Sequence, residues 1–476
     1  MASRRTKIVT TLGPASWDAD TLPRLIEAGA DVVRLNFSHG SADEHAGIIE
    51  RVRTAGEQVG REVAILGDLP GPKLRIGEIA DEPMRLADGD ELVLTTGDGD
   101  GASGVASVSV SWGGLTDAVS VDEEIFLADG TIRLRVCEIG EHDVRCAVEE
   151  GGLLSSNKGL NLPGSTEGLP SASERDLEWV DFAVEHGLDL LALSFVRSAA
   201  DLEPVMERIE QGGSDIPVIP KIEKPEAVDN AEEIIKAVTA GVMIARGDLG
   251  IEIPIARVPR VQKQLIALAG RWSVPSITAT QMLASMVDSN RPTRAEATDV
   301  ANAIHDGTDA IMLSEETAIG NDPVAVVKVM ARIAEAAEQD LPYAEWARNR
   351  AGEKEAGRVA GAVATVAVEA ARRLGLAALV VPTSSGRTAR LVSARRPEVP
   401  VLALSPNPET VRRVKLLFGV QSRGAESDMD LRALLDDCAR QACEAGVATS
   451  GDLIGVTAGT PDQELGTNLF EVHQVP

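Results

Sequence analysis

At 476 residues and 44% hydrophobic content, the chain fills far more than one small core, so about two to four domains are expected. The formal net charge of −28 shows no cationic stripe for a nucleic-acid backbone, which excludes that as the main task. Any phosphate it handles must meet a locally basic site or a bridging metal ion. No run approaches the ~18 apolar residues of a membrane span, and MASRRTKIVTTLGP lacks an apolar stretch of signal-peptide length. The cysteines Cys137, Cys146, Cys438 and Cys443 form no CxxC pair. They read as buried small hydrophobes in a reducing compartment, with the cytoplasm as the expected location.

In chain order, short apolar runs alternate with amphipathic stretches. KIVTTL, DVVRLNF, VAILGDL, LDLLALSFV, IPVIPKIE, GVMIARGD, VPSITAT and DAIMLSEE are nearly continuous in apolar residues, as parallel strands covered on both faces should be. Helical patterns such as ADTLPRLIEAGA, SAADLEPVMERIEQ, PEAVDNAEEIIKAV and RAEATDVANAIHDG follow most of them. About eight such units suggest a (β/α)8 TIM barrel. An open doubly wound sheet is the alternative. No GxGxxG follows the first strand, and polar residues close nearly every strand: Arg34, Asp68, Ser194, Glu223, Asp248, Thr280 and Ser314. Both features favour the barrel, whose active sites lie at that end.

The third unit is interrupted. From Pro72 to about Gly164 the chain alternates apolar and polar residues, with Asp88-Gly89 and Asp129-Gly130 as hairpin signals. This predicts a small antiparallel β-barrel inserted as a lid over the catalytic face. After Leu341, RVAGAVATVAVEAARRLG reads as a helix, and ALVVP, VPVLALSP and DLIGVTAG as strands of a C-terminal α/β domain. The expected domains are 1–70 with 165–340 (barrel), 71–164 (lid) and 341–476.

No GxxxxGK[ST] loop and no paired HRD and DFG set occur. In IPKIEKPEAV, Lys221 and Glu223 lie two apart near a strand end, so both point to the same face. The next strand end offers Asp248. Two carboxylates at neighbouring strand ends suit Mg²⁺, which keeps waters and phosphate oxygens in its octahedron. A fixed lysine beside them suits a transferring phosphoryl group. On these residues alone, a structural ion pair of Lys221 with Glu223 or Asp248 is equally open. Thr383, Ser384, Ser385, Gly386, Arg387 and Thr388 lie between a strand and a helix, either as a phosphate cradle or as an ordinary capped turn.

TKIVTTLGPAS, DVVRLNFSHG, PKIEKPEAV, MIARGDLGIEIP, ITATQML, RPTRAEATDVANAIHDG and LSEETA resemble the signature blocks of pyruvate kinases, in family order and over essentially the whole chain. The resemblance implies phosphoryl transfer from phosphoenolpyruvate to ADP, giving pyruvate and ATP with Mg²⁺ or Mn²⁺. It implies that Arg34 contacts the phosphoryl group, that Lys221 stabilises transition-state charge, and that Glu223 and Asp248 hold the metal. Arg246 and Gly247 mark the turn receiving the substrate carboxylate, and Thr280 lies beside the methylene carbon. Ser314 and Glu316 belong to a proton relay, and Arg75 and Lys158 meet the nucleotide phosphates. It also implies a homotetramer, and a sugar-phosphate or nucleotide effector at Thr383–Thr388.

Two departures stand out. The monovalent-cation region matches Asn36, Ser38, Asp68 and the position after it, but Leu69 offers no side-chain oxygen there. Lys73 replaces the family glutamate. An ammonium can stand in for K⁺, so no K⁺ requirement is expected. Glu315 replaces the usual glycine of the Ser-Gly-Glu-Thr motif, either pointing outward or retuning the relay. Two other readings compete: another barrel enzyme acting on phosphoenolpyruvate or a related oxoacid, and a non-catalytic metabolite sensor.

Overall fold

The computed structural model describes residues 4–96, 105–163, 168–349, 359–426, 429–459 and 466–476. The expected lid boundary at 164/165 lies outside them. Eight parallel strands close into a barrel in chain order: Lys7–Thr11, Val32–Asn36, Ala64–Leu69, Leu190–Leu193, Val218–Ile222, Val242–Ala245, Ser276–Ala279 and Ala310–Leu313. Strand side chains alternate between faces. Val9, Val32, Leu66, Ala192, Ile219 and Met312 therefore share the barrel interior, while their neighbours join the outer core under the helices. The same alternation carries the interior rows upward to Arg34, Asp68, Ser194, Lys221, Glu223 and Ser314 at the open mouth.

The surrounding helices start where the sequence supplies caps. Ser41 with Glu44, Ser173 with Asp176, and Thr293 with Glu296 form capping boxes on helices Ala42–Val59, Glu174–Glu185 and Arg294–Asp306.

The lid is a six-stranded sheet, with Arg75 bridged to Gly159 at one edge and Ile76 to Val110 at the other. Its pairs are antiparallel except Glu91–Thr96 with Ala106–Val110, which is parallel. Only the Asp129-Gly130 signal makes a hairpin, joining Glu124–Leu127 to Ile132–Ile139. Strands Met84–Leu86 and Glu91–Thr96, on either side of Asp88-Gly89, enter different sheets. There Asp88 Oδ1 instead accepts the Gly151 N–H at 2.8 Å.

Both lid linkers converge on one carboxylate. Asp176 accepts the N–H of Gly71 on the outgoing side at 3.0 Å and that of Ser173 on the return at 2.8 Å. The lid also docks through Lys224, which donates to Leu162 O and pairs with Glu252 Oε1 at 2.9 Å each. Asn161 Nδ2 reaches the same Glu252 oxygen at 3.0 Å.

The C-terminal domain has a five-stranded sheet, ordered Val420–Gly424, Val401–Ser405, Ala378–Pro382, Leu453–Gly459 and antiparallel Thr467–Gln474. Its Leu416 joins the interior cluster and plugs the barrel base. Cys146 and Cys438 are buried, which pushes both thiols up to about 12, whereas Cys137 and Cys443 are exposed, contrary to the expectation for all four. No helix among the described residues is long and apolar enough to cross a membrane.

Candidate active site

Lys221 stands at the centre of the mouth. Its ammonium donates to Ser194 Oγ at 2.8 Å and lies 3.1 Å from Glu223 Oε1 and 3.3 Å from Asp68 Oδ1. Burial alone would lower its pKa, but Asp68 and Glu223 outweigh that and raise it, so the ammonium stays charged. The mouth therefore brings Lys221 and Glu223 together as their spacing predicts.

Glu223 is fully buried. Its Oε2 accepts the Phe195 N–H at 2.7 Å, while Oε1 has no hydrogen-bond partner. Burial pushes this carboxyl up to about 7; Lys221 opposes the shift, and the nearby Asp248 charge adds to it. Asp248 lies in the first turn of helix Arg246–Glu252 and is partly exposed. Among the described residues, no group of three or more His, Cys, Asp or Glu side chains could hold a metal alone. Two carboxylates, one carrying an orphaned buried oxygen, instead fit an ion that takes few protein ligands and keeps waters and substrate oxygens, as Mg²⁺ does.

Arg34 donates to Asp68 Oδ2 at 2.6 Å and to Thr11 Oγ1 at 3.0 Å. Burial pushes the Asp68 carboxyl up, but Arg34 and Lys221 together hold it below the usual carboxylate range. Thr280 sits at φ +73°, where its Oγ1 accepts the Gly247 N–H at 2.8 Å and donates to Ala279 O at 2.6 Å. The Arg246 guanidinium turns away to brace this corner, donating to Thr280 O at 2.7 Å and Asp299 Oδ1 at 2.8 Å.

Glu316 accepts the N–H of Ser314 at 2.6 Å and that of Leu283 at 3.1 Å. It is buried, while Glu315 points outward, which answers the question its substitution raised. Asn36 and Ser38 stay beside Asp68: Asn36 pairs with Asp68 in register and accepts the Ser38 N–H at 3.2 Å. Leu69 faces the outer core by strand alternation, so its lack of a side-chain oxygen has no bearing on the mouth. Lys73 Nζ lies 3.8 Å from both Asp248 Oδ1 and Asp129 Oδ1, beside the divalent-metal candidates rather than at Asp68.

Arg75 and Lys158 flank the bridge at Gly159, where an added Cβ would come 3.1 Å from Lys73 Cε. In the C-terminal loop, Thr383 Oγ1 accepts the Gly386 N–H at 3.0 Å and Thr388 bonds to Thr467. Ser384, Ser385 and Arg387 are exposed.

The family profile "Pyruvate kinase, barrel domain" matches residues 3–327, and "Pyruvate kinase, alpha/beta domain" matches residues 361–473. The chain belongs to the pyruvate kinase family. It is an enzyme that transfers phosphate from phosphoenolpyruvate to ADP. A pyruvate kinase of Thermococcus litoralis is 41% identical over 480 residues, covering all of both chains. One of Mycobacterium intracellulare is 42% identical over 99% of each. The crystal structure of a pyruvate kinase from Cryptosporidium parvum superposes with a TM-score of 0.94 at 35% identity, covering 99% of this chain and 96% of that one. These pyruvate kinase matches set aside both competing readings.

Sequence reasoning missed the residues that hold these side chains: Thr11 for Arg34, Phe195 for Glu223, and Asp299 for Arg246. Phe195 carries no polar side chain at all; its contribution is a backbone N–H at φ +56°. A short polar residue at a strand end was the only available signal, and it marked Ser194 without giving its task.

Proposed function

We propose that Glu223 and Asp248 hold Mg²⁺ or Mn²⁺ at the barrel mouth, that Lys221 and Arg34 serve the transferring phosphoryl group, and that no K⁺ is required. The observation carrying this reading is Glu223 Oε1, a buried carboxylate oxygen with no hydrogen-bond partner beside a charged ammonium. A buried carboxylate oxygen held by an ion pair and no hydrogen bond keeps lone pairs open to a further cation.

The ion, when bound, would supply positive charge to the oxygens of the substrates. Arg34 has Nε and Nη1 committed to Asp68 and Thr11, which leaves Nη2 for a phosphoryl oxygen. Lys221 offers a fixed positive charge as negative charge grows on the enolate oxygen. Thr280 keeps the Gly247 turn in place to receive the substrate carboxylate. Glu316, with each oxygen on a backbone N–H, holds the turns that carry Ser314 and Leu283 and stands with Ser314 in the proton relay, beside Thr280 at the methylene carbon. Arg75 and Lys158 would meet the nucleotide phosphates from the lid.

Lys73 supports the K⁺-independent reading as a permanent ammonium on the lid side of the mouth, 3.8 Å from Asp129 and Asp248 and not at Asp68 itself. A coupled assay with phosphoenolpyruvate, ADP and Mg²⁺ tests this, with tetramethylammonium as the only monovalent cation. Turnover within about twofold of that in K⁺ is expected, because a permanent ammonium already stands at the mouth; a strong K⁺ requirement would remove this part.

The same proposal includes a homotetramer and a phosphate-bearing effector at Thr383–Thr388, where Gly386 at φ +77° precedes helix Arg387–Ala394. Four free thiols suit a reducing cytoplasm.

A further inference from the structure

Ser194 ends the fourth barrel strand and is 3% exposed. Its hydroxyl has one proton, donated to Leu69 O at 2.7 Å, so a lone pair faces the Lys221 ammonium at 2.8 Å. Around that ammonium stand three acceptors, and Ser194 is the neutral one; Asp68 and Glu223 are both carboxylates. A charged neighbour can be drawn away by a competing ion or by its own protonation, whereas a hydroxyl fixed by a carbonyl keeps its direction.

The next residue, Phe195, holds φ +56°, a conformation rare for a bulky side chain, and from it aims its N–H at Glu223. On the other side lies Gly71, at φ +66° on the chain's exit to the lid. An added Cβ there would meet Ser194 O at 2.8 Å and Ser194 Cβ at 3.0 Å. The lid linker thus bears directly on the residue that touches the ammonium.

We propose that Ser194 is a positioning residue for the transfer step: its hydroxyl aims the Lys221 ammonium, and its contact with Gly71 ties that aim to the lid's outgoing linker. The proposal rests on Lys221 acting at the phosphoryl group, as read above.

Ser194→Ala tests it with the full chain. kcat is expected to fall between about ten- and a hundredfold, the scale of a misplaced catalytic group. The KM for phosphoenolpyruvate and the Kd for Mn²⁺ should stay within about twofold, because a positioning loss appears in kcat alone. A residue that merely supports the strand end would instead move Mn²⁺ affinity with kcat, through Phe195 and Glu223. Gly71→Ala should also lower kcat, and the double variant should lose less than the product of the two single losses, since both act through one contact.

If Ser194→Ala does not fold, Ser194→Cys keeps a weaker acceptor in place and is held to the same split. Unchanged kcat in the folded variant, or a parallel loss of Mn²⁺ affinity, overturns the aiming role. Fully multiplicative losses overturn the link to the lid. A Lys221→Met enzyme at full speed would remove the underlying reading instead.

Discussion

The two ends of the barrel both bury ion pairs, but they treat them in opposite ways. At the base, Asp309 accepts from Arg396 at 2.8 Å and from the Ser276 N–H at 2.9 Å. Asp189 takes Arg412 at 2.7 Å on one oxygen, and Arg53 and the Ile65 N–H at 2.8 Å on the other. Burial pushes the Asp31 carboxyl up, but Arg4, Lys7 and Arg61 outweigh it and hold it below the usual range. These carboxylates are saturated, and Asp309 and Asp189 tie the C-terminal domain to the barrel through Arg396 and Arg412. At the mouth, Glu223 Oε1 accepts no hydrogen bond and faces the Lys221 ammonium at 3.1 Å, and burial drives its carboxyl up to about 7. The base carboxylates serve as scaffold, whereas Glu223, raised by burial at the mouth, is the one proposed to take a ligand.

The base should break by stability. Arg396→Leu leaves Asp309 buried without its cation and should cost about 3–5 kcal/mol of unfolding free energy, as breaking one half of a buried pair does. kcat per folded molecule should hold within about twofold, since the pair stands at the base, the end of a barrel that serves stability. Urea unfolding beside a coupled assay separates the two effects.

The mouth should break by function. Glu223→Gln removes the charge proposed to hold the metal, and turnover should fall at least about a hundredfold, the scale of a lost transition-state electrostatic group. The melting temperature of the metal-free variant should not drop, because burial already disfavours the charged carboxylate at this position. A matching loss of stability would erase the contrast between the two ends.

The sign of the pH effect sharpens it further. Glu223 has a folded pKa raised from 4.5 to about 7, so between these values the folded protein keeps a proton that the unfolded chain has released. This contribution to metal-free stability is full below the unfolded value and is lost as pH rises through about 7. Metal binding needs the carboxylate. Mn²⁺ affinity should therefore fall as pH drops below about 7, approaching about tenfold per unit, and Glu223→Gln should flatten that slope.

The smallest effect concerns Lys73. Lys73→Glu reverses a partly exposed charge beside Asp248 and should tighten Mn²⁺ binding by less than about tenfold, the range of a solvent-screened pair, in a titration with K⁺ absent.

Much of the mouth was legible because parallel strands covered on both faces appear as apolar runs, and their two-residue alternation points Arg34, Asp68, Lys221 and Glu223 inward together. What stayed hidden depends on contacts distant in sequence. Lys73 meets Asp248 only because the lid folds back over the barrel. Glu316 was legible from resemblance alone, and the two backbone N–H groups that hold its oxygens come from turns no short motif announces. The edge strands Val420–Gly424 and Thr467–Gln474 are too polar to stand out from loop sequence. The base pair of Asp309 and Arg396 carried no signal in either segment, because the two lie 87 residues apart and meet only where the C-terminal domain docks on the barrel.

Lys221→Met puts the whole account at risk in one assay of ATP formation from phosphoenolpyruvate and ADP with saturating Mg²⁺. A loss of about a thousandfold in kcat is predicted, the cost of removing a preorganised charge at the reacting oxygen, with Mn²⁺ still bound by Glu223 and Asp248. A purified, folded Lys221→Met enzyme making ATP at the unmodified rate would contradict it.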